Sequence, residues 1–167
     1  MPWLSDYAKK KKIEYFLQQI PRHSRILEIG CGAGWVGDYL RTHGWPHYTG
    51  MDLSAPADVV GDILHWRELG LKAESFDSII AFEVVEHVDC FRACYELLRP
   101  GGVLMITTPV PRMDRVLRLF EAVGLNQKRT SPHDHLVDLA RVPYFENKVI
   151  RTIFHLSQWG IFTKDLD

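Results

Sequence analysis

The residues best suited to chemistry in this chain form a glycine-rich turn with an acid in front of it. Gly30, Gly32 and Gly34 follow a short apolar run and precede a helical pattern, and Glu28 stands just before them. Glycines allow a tight turn with positive φ and let a ligand approach the backbone closely. A helix that begins at the same point aims its free N–H groups at that ligand. The pattern therefore predicts a turn that cradles a small ligand.

The spacing of these glycines indicates which class of ligand fits. The dinucleotide fingerprint G-x-G-x-x-G would require glycine at the position of Trp35. A pyrophosphate does not need an acid before the turn. Glu28, by contrast, can complement the positive charge of an amino-acid group that lies beside a sulfonium. The spacing favours a ligand with such a cationic end over a dinucleotide.

Two more acids follow the next predicted strands. Asp52 ends the strand Tyr48–Asp52, where a carboxylate suits a bidentate hydrogen bond to adjacent ribose hydroxyls. Asp62 lies in the loop after the strand Ala57–Val60, where it would accept a hydrogen bond from an adenine amino group or cap a helix. Each acid has a structural alternative, but their order after the glycine turn predicts a nucleoside site.

A cluster of acids and histidines offers candidate catalytic residues, namely His87, Glu86 and His135. On a helical turn Glu83, Glu86 and His87 would share one face. The segment His133–His135 comes from a later loop that is expected to face the same pocket. Carboxylates and imidazoles together would suit a divalent metal. Alternatively, His87 accepts a proton or binds a substrate, or the cluster is structural; we favour the absence of metal.

These residues are positioned by alternating strand and helix patterns, which predict a parallel sheet with helices on both faces. The predicted strands are Arg25–Ile29, Tyr48–Asp52, Ala57–Val60, Phe76–Phe82 and Val103–Thr107. The predicted helices are Trp35–Leu40, Cys90–Leu98 and Asp114–Val123, with a turn at Pro100–Gly102. Two strands near the end, Lys148–Ser157 and Trp159–Lys164, lack an intervening helix and should pair antiparallel.

An amphipathic helix is predicted over about residues 5–20, before the first strand. Ile13, Phe16, Leu17 and Ile20 recur on one face of it, and Lys9–Lys12 is expected to be its solvated part. Trp3 and Tyr7 either pack into the core or close over the ligand. Arg112, Arg115 and Arg118 are expected to form a solvated helix face.

Composition narrows the classes of function. The formal net charge is −1 and the hydrophobic fraction is 46%, which is typical of one globular domain over residues 1–167 and disfavours nucleic acid as a partner. No apolar run is long enough to insert in a membrane, and the first residues lack signal-peptide order. Three cysteines do not make a disulfide framework, so the cytoplasm is the expected location. Oligomeric state is not predicted.

With these motifs the chain resembles the class I S-adenosylmethionine-dependent methyltransferases, in the branch with a generic methyltransferase domain. The resemblance is carried by Ile26–Gly34, by the strand that ends at Asp52, by Phe76–Val88 and by Leu97–Gly102. It implies an α/β fold, a Rossmann-like doubly wound sheet of seven strands whose last strand is antiparallel. It also implies S-adenosyl-L-methionine as cofactor, with a core at about residues 25–167.

The resemblance assigns roles to individual residues. It implies Asp52 on the ribose, Asp62 with Ile63 at the adenine, Glu83 on the cofactor pocket and the glycine turn beneath the methionine part. The full set of expected cofactor-binding residues is Glu28, Gly30, Cys31, Gly32, Gly34, Asp52, Leu53, Asp62, Ile63 and Glu83. The turn Leu98–Gly102 is structural in this family.

The function expected from these features is methylation of a small molecule, at an oxygen atom. One alternative is a metal-assisted RNA ribose 2′-O-methyltransferase, because Glu83, Glu86, His87 and His135 are similar to the ligand set of the small-RNA 3′-terminal enzymes. Quinone-pathway O-methyltransferases also share the glutamate–glutamate–histidine run, which is common in this branch without any metal. A second alternative is a non-catalytic module that only binds S-adenosylmethionine.

Overall fold

A computed structural model describes residues 2–110, 137–145, 147–153 and 156–166 of the chain. Within these ranges the strands are β1 (Ile26–Ile29), β2 (Tyr48–Asp52), β3 (Val59–Val60), β4 (Phe76–Phe82), β5 (Leu98–Pro109), β6 (Asn147–Ile153) and β7 (Ser157–Thr163). The helices are α1 (Pro2–Tyr15), α2 (Trp35–Thr42) and α3 (Phe91–Leu97), with 3₁₀ turns at Leu17–Gln19, Ile63–His65 and Leu139–Arg141.

All seven strands form one sheet in the order β3-β2-β1-β4-β5-β7-β6. The strands from β1 to β5 pair parallel, whereas β7 runs antiparallel to both β5 and β6. This confirms the predicted doubly wound sheet with an antiparallel last strand. From β1 the chain first builds outward through β2 and β3, then returns to place β4 on the other side. Ligands of such sheets bind at the carboxyl ends of the strands near this reversal.

Apolar side chains cover both faces of the sheet. Leu27 and Ile79 face a core that includes α3, while Ile26 and Ile80 face a second core that includes α2 and Phe16. Strand β1 is buried along its whole length for this reason, as central parallel strands are. The sheet therefore holds the residues after β1, β2 and β4 on a rigid edge.

Several element boundaries differ from the predictions. The first helix ends at Tyr15 rather than near residue 20, and Pro21 follows a separate 3₁₀ turn. The predicted turn at Pro100–Gly102 belongs to β5, where the pairing with β4 shifts register and Gly101 has a φ of +73°. Ser157 begins β7 instead of ending the strand before it. Periodicity alone does not register such local irregularities.

Some sequence-based predictions lie outside the described residues. They are the helix Asp114–Val123, the arginines at 112, 115 and 118, and His133 and His135. Among the helices of the described ranges, none has both the length and the apolar character that a bilayer span requires.

Candidate ligand-binding site

The glycine turn lies where β1 gives way to α2. Gly30, Gly32 and Gly34 have φ values of +72°, +49° and +79°, in the left-handed region that favours glycine. The backbone N–H groups of Gly30 and Cys31 both donate to the carbonyl of Met51, at 2.8 and 3.0 Å. These two bonds fasten the start of the turn to the end of β2, so the turn has a fixed place on the edge of the sheet.

The glycines of the turn meet two different requirements. A Cβ at Gly30 would lie 2.6 Å from Cγ2 of Val84, so the Val84 side chain leaves no space for any side chain at this position. A Cβ at Gly32 or Gly34 would meet nothing within 4 Å. Packing therefore explains the first glycine, whereas the other two present bare backbone to open space, as a ligand cradle must.

Asp52 ends β2 beside the turn. Its Oδ2 accepts a hydrogen bond of 2.8 Å from the N–H of Gly32, and its Oδ1 accepts a longer one of 3.4 Å from Ser54. The carboxylate is thereby oriented by the same backbone that forms the cradle. Asp52 also lines a cavity of about 600 Å³, a volume in the range of small-molecule sites.

This cavity, which we call the nucleoside cavity after the ligand that the sequence predicts, runs from β2 to the turn after β4. Leu53, Asp62 and Ile63 line one side of it, and Glu83 and His87 line the other. Asp62 caps the 3₁₀ turn that follows it, because its Oδ1 accepts the N–H of Leu64 at 2.9 Å. The capping alternative for Asp62 is therefore correct, and the capped residue also faces the cavity. Of the expected cofactor-binding set, the structure brings Gly30, Asp52, Leu53, Asp62, Ile63 and Glu83 to this one cavity.

A second cavity of about 310 Å³ lies under the other side of the glycine turn. Cys31, Gly32 and Gly34 line it together with Tyr48. Glu28 is only 3% exposed, and its carboxyl accepts a hydrogen bond from the Tyr48 hydroxyl behind this cavity. Burial raises the pKa of Glu28 to about 8, although the hydrogen bond from Tyr48 acts in the opposite direction. A pKa of about 8 leaves the acid before the turn largely protonated at neutral pH.

Glu83 is held at the rim of the nucleoside cavity by two distant residues. Its Oε1 accepts hydrogen bonds from the Thr107 hydroxyl at 2.7 Å and from Lys12 Nζ at 3.2 Å. Its backbone has a φ of +56°, which is unusual for a residue with a side chain. Lys12 also lies over the ring of Phe82, at 5.0 Å from its centroid.

Lys12 corrects one prediction. Its side chain is 15% exposed, so the lysine run in α1 is not simply solvated. Tyr48, Thr107 and Thr108 were also missed, because each contacts an acid far away in the sequence. Hydrophobic periodicity places Tyr48 and Thr107 in strands and ends the latter strand before Thr108. It carries no signal of the contacts that these three residues make.

The predicted shared face of Glu83, Glu86 and His87 is wrong. The segment forms a single turn rather than a helix, closed by the N–H of His87 donating to the carbonyl of Val84. His87 is exposed and lines the nucleoside cavity with Glu83. Glu86 is 1% exposed and accepts a hydrogen bond of 3.0 Å from Thr108, and burial raises its pKa to about 7.

A metal centre is not assembled by the residues that the structure describes. In those ranges no three His, Cys, Asp or Glu side chains come together in a way that could hold an ion. His135, the remaining member of the candidate set, lies outside them. The four-ligand hypothesis is therefore untested.

Comparison with known proteins gives the family and the extent of the similarity. A family model described as a methyltransferase domain matches residues 4–158. The ubiquinone biosynthesis O-methyltransferase of Xylella fastidiosa is 31% identical in an alignment 129 residues long that covers 65% of this chain and 50% of that protein. The chain spans about half the length of the curated relatives it matches.

Solved structures with the same fold extend over nearly the whole chain. A SAM-dependent methyltransferase from Archaeoglobus fulgidus superposes with a TM-score of 0.68 at 15% identity, over 95% of this chain and 94% of that one. Phosphoethanolamine N-methyltransferase 2 of Haemonchus contortus, solved with S-adenosyl-L-methionine, gives a TM-score of 0.66 at 14% identity over 96% of this chain and 53% of that one. At such identities the likeness concerns the fold.

The raised pKa of Glu28 predicts a pH-dependent gain from Glu28→Gln. The pKa of this carboxyl is 4.5 in the unfolded chain and about 8 in the folded protein. The stability that the neutral carboxyl contributes is therefore fully present below pH 4.5 and is lost as the pH rises through about 8. Glutamine does not ionise and still accepts from Tyr48. We expect its free energy of unfolding, relative to wild type, to rise on the order of a few kcal/mol between about pH 5 and about pH 8.5.

Urea unfolding at the two pH values measures this difference. Glu68→Gln, at an exposed position, is the matched control and should differ from wild type by the same amount at both pH values. A Glu28→Gln difference that does not change with pH would contradict the buried, protonated state of Glu28.

Proposed function

Because the chain belongs to the methyltransferase-domain family, we propose that it transfers a methyl group from S-adenosyl-L-methionine to a small molecule, at an oxygen atom. One observation carries the proposal. Asp52 lines a cavity of about 600 Å³ at the carboxyl ends of parallel strands, and it accepts a hydrogen bond from the bare backbone of Gly32, which lines the second cavity of about 310 Å³. This arrangement offers a charged acceptor for a diol and a surface that a ligand can approach closely.

The nucleoside end of the cofactor fits the nucleoside cavity. We assign Asp52 to the ribose hydroxyls, because its carboxylate is exposed to that cavity and fixed by the turn. Ile63 and the exposed Leu53 supply apolar surface for the adenine ring. Asp62 is assigned to the adenine amino group, since its carboxylate lies at the same wall while it caps the following turn.

The amino-acid end of the cofactor fits the glycine turn. Gly32 and Gly34 leave open space in front of the backbone, and α2 begins directly after them. The free N–H groups and dipole at that helix start favour a carboxylate. Glu28, behind the turn, is assigned to the positive charge of the same end, with Gly30 and Cys31 holding the turn in place.

The reaction requires alignment and removal of a proton. The bound cofactor supplies a methyl group already activated by its sulfonium. The protein then has to hold the acceptor oxygen in line and take its proton. We assign the proton-accepting role to His87, which is exposed to the cavity next to Glu83. The burial of Glu86 makes it an anchor of the turn rather than a group that touches substrate.

A small oxygen acceptor is supported by two observations. Relatives about 30% identical are named ubiquinone biosynthesis O-methyltransferases, and the formal net charge of −1 offers no general attraction for nucleic acid. We further propose that residues 1–167 form one methyltransferase domain. We also propose that the protein works in a reducing compartment, where its three buried cysteines would remain thiols.

The direct test combines a binding measurement with an acceptor screen. Calorimetry with S-adenosylhomocysteine tests the cofactor site, and transfer of labelled methyl to phenols, carboxylic acids, amines and a short RNA tests the acceptor class. Transfer to a phenol or another hydroxyl supports the proposal. Transfer only to RNA, or tight binding with no transfer to any acceptor class, would overturn it in favour of the RNA enzyme or the binding module.

Replacing Asp52 should weaken cofactor binding strongly. Asp52→Ala removes the carboxylate that would accept two hydrogen bonds from the ribose hydroxyls, and it should cost about 2–4 kcal/mol of binding free energy. Asp52→Asn keeps an oxygen for the N–H of Gly32 and should lose less. Calorimetry with S-adenosylhomocysteine measures both, and unchanged affinity in Asp52→Ala would refute the ribose assignment.

Replacing Gly32 by valine should remove binding while the fold survives. The new side chain meets no protein atom within 4 Å at its Cβ, so it fills the space in front of the turn where the ligand lies. Gly70→Val is the matched control, because Gly70 also has positive φ and an equally open Cβ position. Both variants should lose similar stability in thermal unfolding. If Gly32→Val binds S-adenosylhomocysteine as Gly70→Val does, the turn is not the cradle.

Removing the His87 imidazole should affect turnover rather than binding. His87→Ala should bind S-adenosylhomocysteine normally and transfer methyl roughly 10²–10⁴-fold more slowly, because the acceptor proton has no base. His47→Ala, at an exposed residue before β2, is the control and should keep full turnover. Loss of wild-type activity with a chelator, restored by a divalent metal, would instead establish the metal hypothesis. A lower melting temperature with turnover preserved would make His87 structural.

A further inference from the structure

Tyr48 reaches Glu28 through space that two glycines leave open. A Cβ at Gly37, in α2, would lie 2.6 Å from Cε1 and 2.9 Å from the hydroxyl of Tyr48. A Cβ at Gly50, in β2, would also lie 2.9 Å from that hydroxyl. Any larger residue at either position would displace the ring. The helix and the strand are thus both shaped around the phenol that donates to Glu28.

Further contacts fix the ring of Tyr48 on its outer side. The Arg41 guanidinium lies over this ring, 4.8 Å from its centroid. Arg41 is in turn paired with Asp58 at 2.7 Å, and Asp58 accepts the N–H of Gly50 at 2.7 Å. The ring is therefore covered by Arg41 of α2, which Asp58 in the segment before β3 holds in place, while its hydroxyl donates to Glu28.

Four charged or titratable groups interact with Glu28, and they come from β2, α1 and the glycine turn. Asp52 at the end of β2 disfavours its ionised form, whereas Lys12 of α1 favours it. Cys31 in the glycine turn is close enough that Glu28 helps to raise the pKa of its thiol, after burial. Burial and the charge of Glu28 together raise the pKa of Tyr48 above its ordinary value, so Tyr48 stays a hydrogen-bond donor.

We propose that Tyr48 is a positioning residue for the cofactor, whose hydroxyl orients the Glu28 carboxyl so that it releases its proton when a ligand with an ammonium group binds. The inference rests on the proposed function, because it takes the amino-acid end of S-adenosylmethionine to lie over the glycine turn. The balance is simple. The O–H bond of Glu28 breaks, its proton passes to solvent, and the carboxylate remains opposite the ammonium group.

Burial makes the charge of Glu28 depend on the group that lies opposite it. Desolvation favours the neutral carboxyl, so the pKa of Glu28 is about 8 and its carboxyl is mostly protonated at neutral pH. A ligand cation at the turn favours the ionised carboxyl, and the Tyr48 hydroxyl stabilises the same form by a charge-assisted hydrogen bond. Affinity for the cation should therefore rise with pH below about 8, by up to about tenfold per unit. Without the hydroxyl this rise moves to higher pH.

Two ligands separate this effect from general binding. S-adenosylhomocysteine carries the ammonium group, whereas 5′-methylthioadenosine has the same nucleoside and no amino-acid end. Calorimetry between about pH 6 and about pH 7.5, in buffers of different ionisation enthalpy, counts the protons released. Wild type should release up to about one proton with S-adenosylhomocysteine and none with 5′-methylthioadenosine.

Variants test whether Glu28 is the group that releases the proton and whether the Tyr48 hydroxyl is needed for it. Tyr48→Phe should bind S-adenosylhomocysteine about 10- to 100-fold more weakly at neutral pH, the range expected for one hydrogen bond to a charged group. Its affinity for 5′-methylthioadenosine should equal that of wild type. Glu28→Gln should abolish proton release. Tyr144→Phe removes a hydroxyl from an exposed ring and should behave as wild type throughout.

The outcomes distinguish this inference from the proposed function. If wild type binds neither ligand, the proposed function fails. If wild type binds S-adenosylhomocysteine without releasing a proton, or if Tyr48→Phe weakens both ligands equally, the inference is overturned while the function stands. Should Tyr48→Phe fail to fold, Gly37→Ala replaces it, because its Cβ would lie 2.6 Å from Cε1 of Tyr48 and displace the phenol. Gly37→Ala should weaken S-adenosylhomocysteine and leave 5′-methylthioadenosine unchanged, and equal weakening of both ligands would overturn the inference.

Discussion

The close approach of Val84 to Gly30 is the constraint on which the site depends. The valine methyl group occupies the place of a side chain at Gly30, while the N–H groups of Gly30 and Cys31 bind the end of β2. The ends of β1, β2 and β4 are thereby locked together at one point. The oxygens of Asp52, the open face of the turn and the cavity wall at His87 all take their positions from that junction.

Sequence patterns predicted the parts of the site that are encoded locally. The glycine turn follows from glycines between a strand and a helix, and Asp52 follows from its place at the end of an apolar run. The patterns failed where a contact joins remote residues, as Lys12 with Glu83 does. The helical face predicted for Glu83 failed for another reason, because a non-glycine residue with positive φ has no periodic signature.

Two buried acids near the site have raised pKa values, a property that the net charge of the chain does not reveal. The chain as a whole is almost neutral, yet burial raises the pKa of both Glu28 and Glu86 toward neutrality. Each acid has a hydroxyl donor from a neighbouring strand, Tyr48 for Glu28 and Thr108 for Glu86. A fold that orders hydroxyls around protonated carboxyls can change its charge locally when a ligand arrives, without large movement of the backbone.

The ion pair between Lys12 and Glu83 joins α1 to the turn after β4 at one rim of the nucleoside cavity. The nucleoside side is built by β1, β2 and the segment up to residue 63, whereas the opposite rim combines the turn after β4 with a helix that precedes the whole sheet. Changes in α1 can thus move Glu83 at one rim while Asp52 and Asp62 on the other side stay as they are. Under the proposed function, selectivity for the methyl acceptor can evolve in the N-terminal helix independently of affinity for the cofactor.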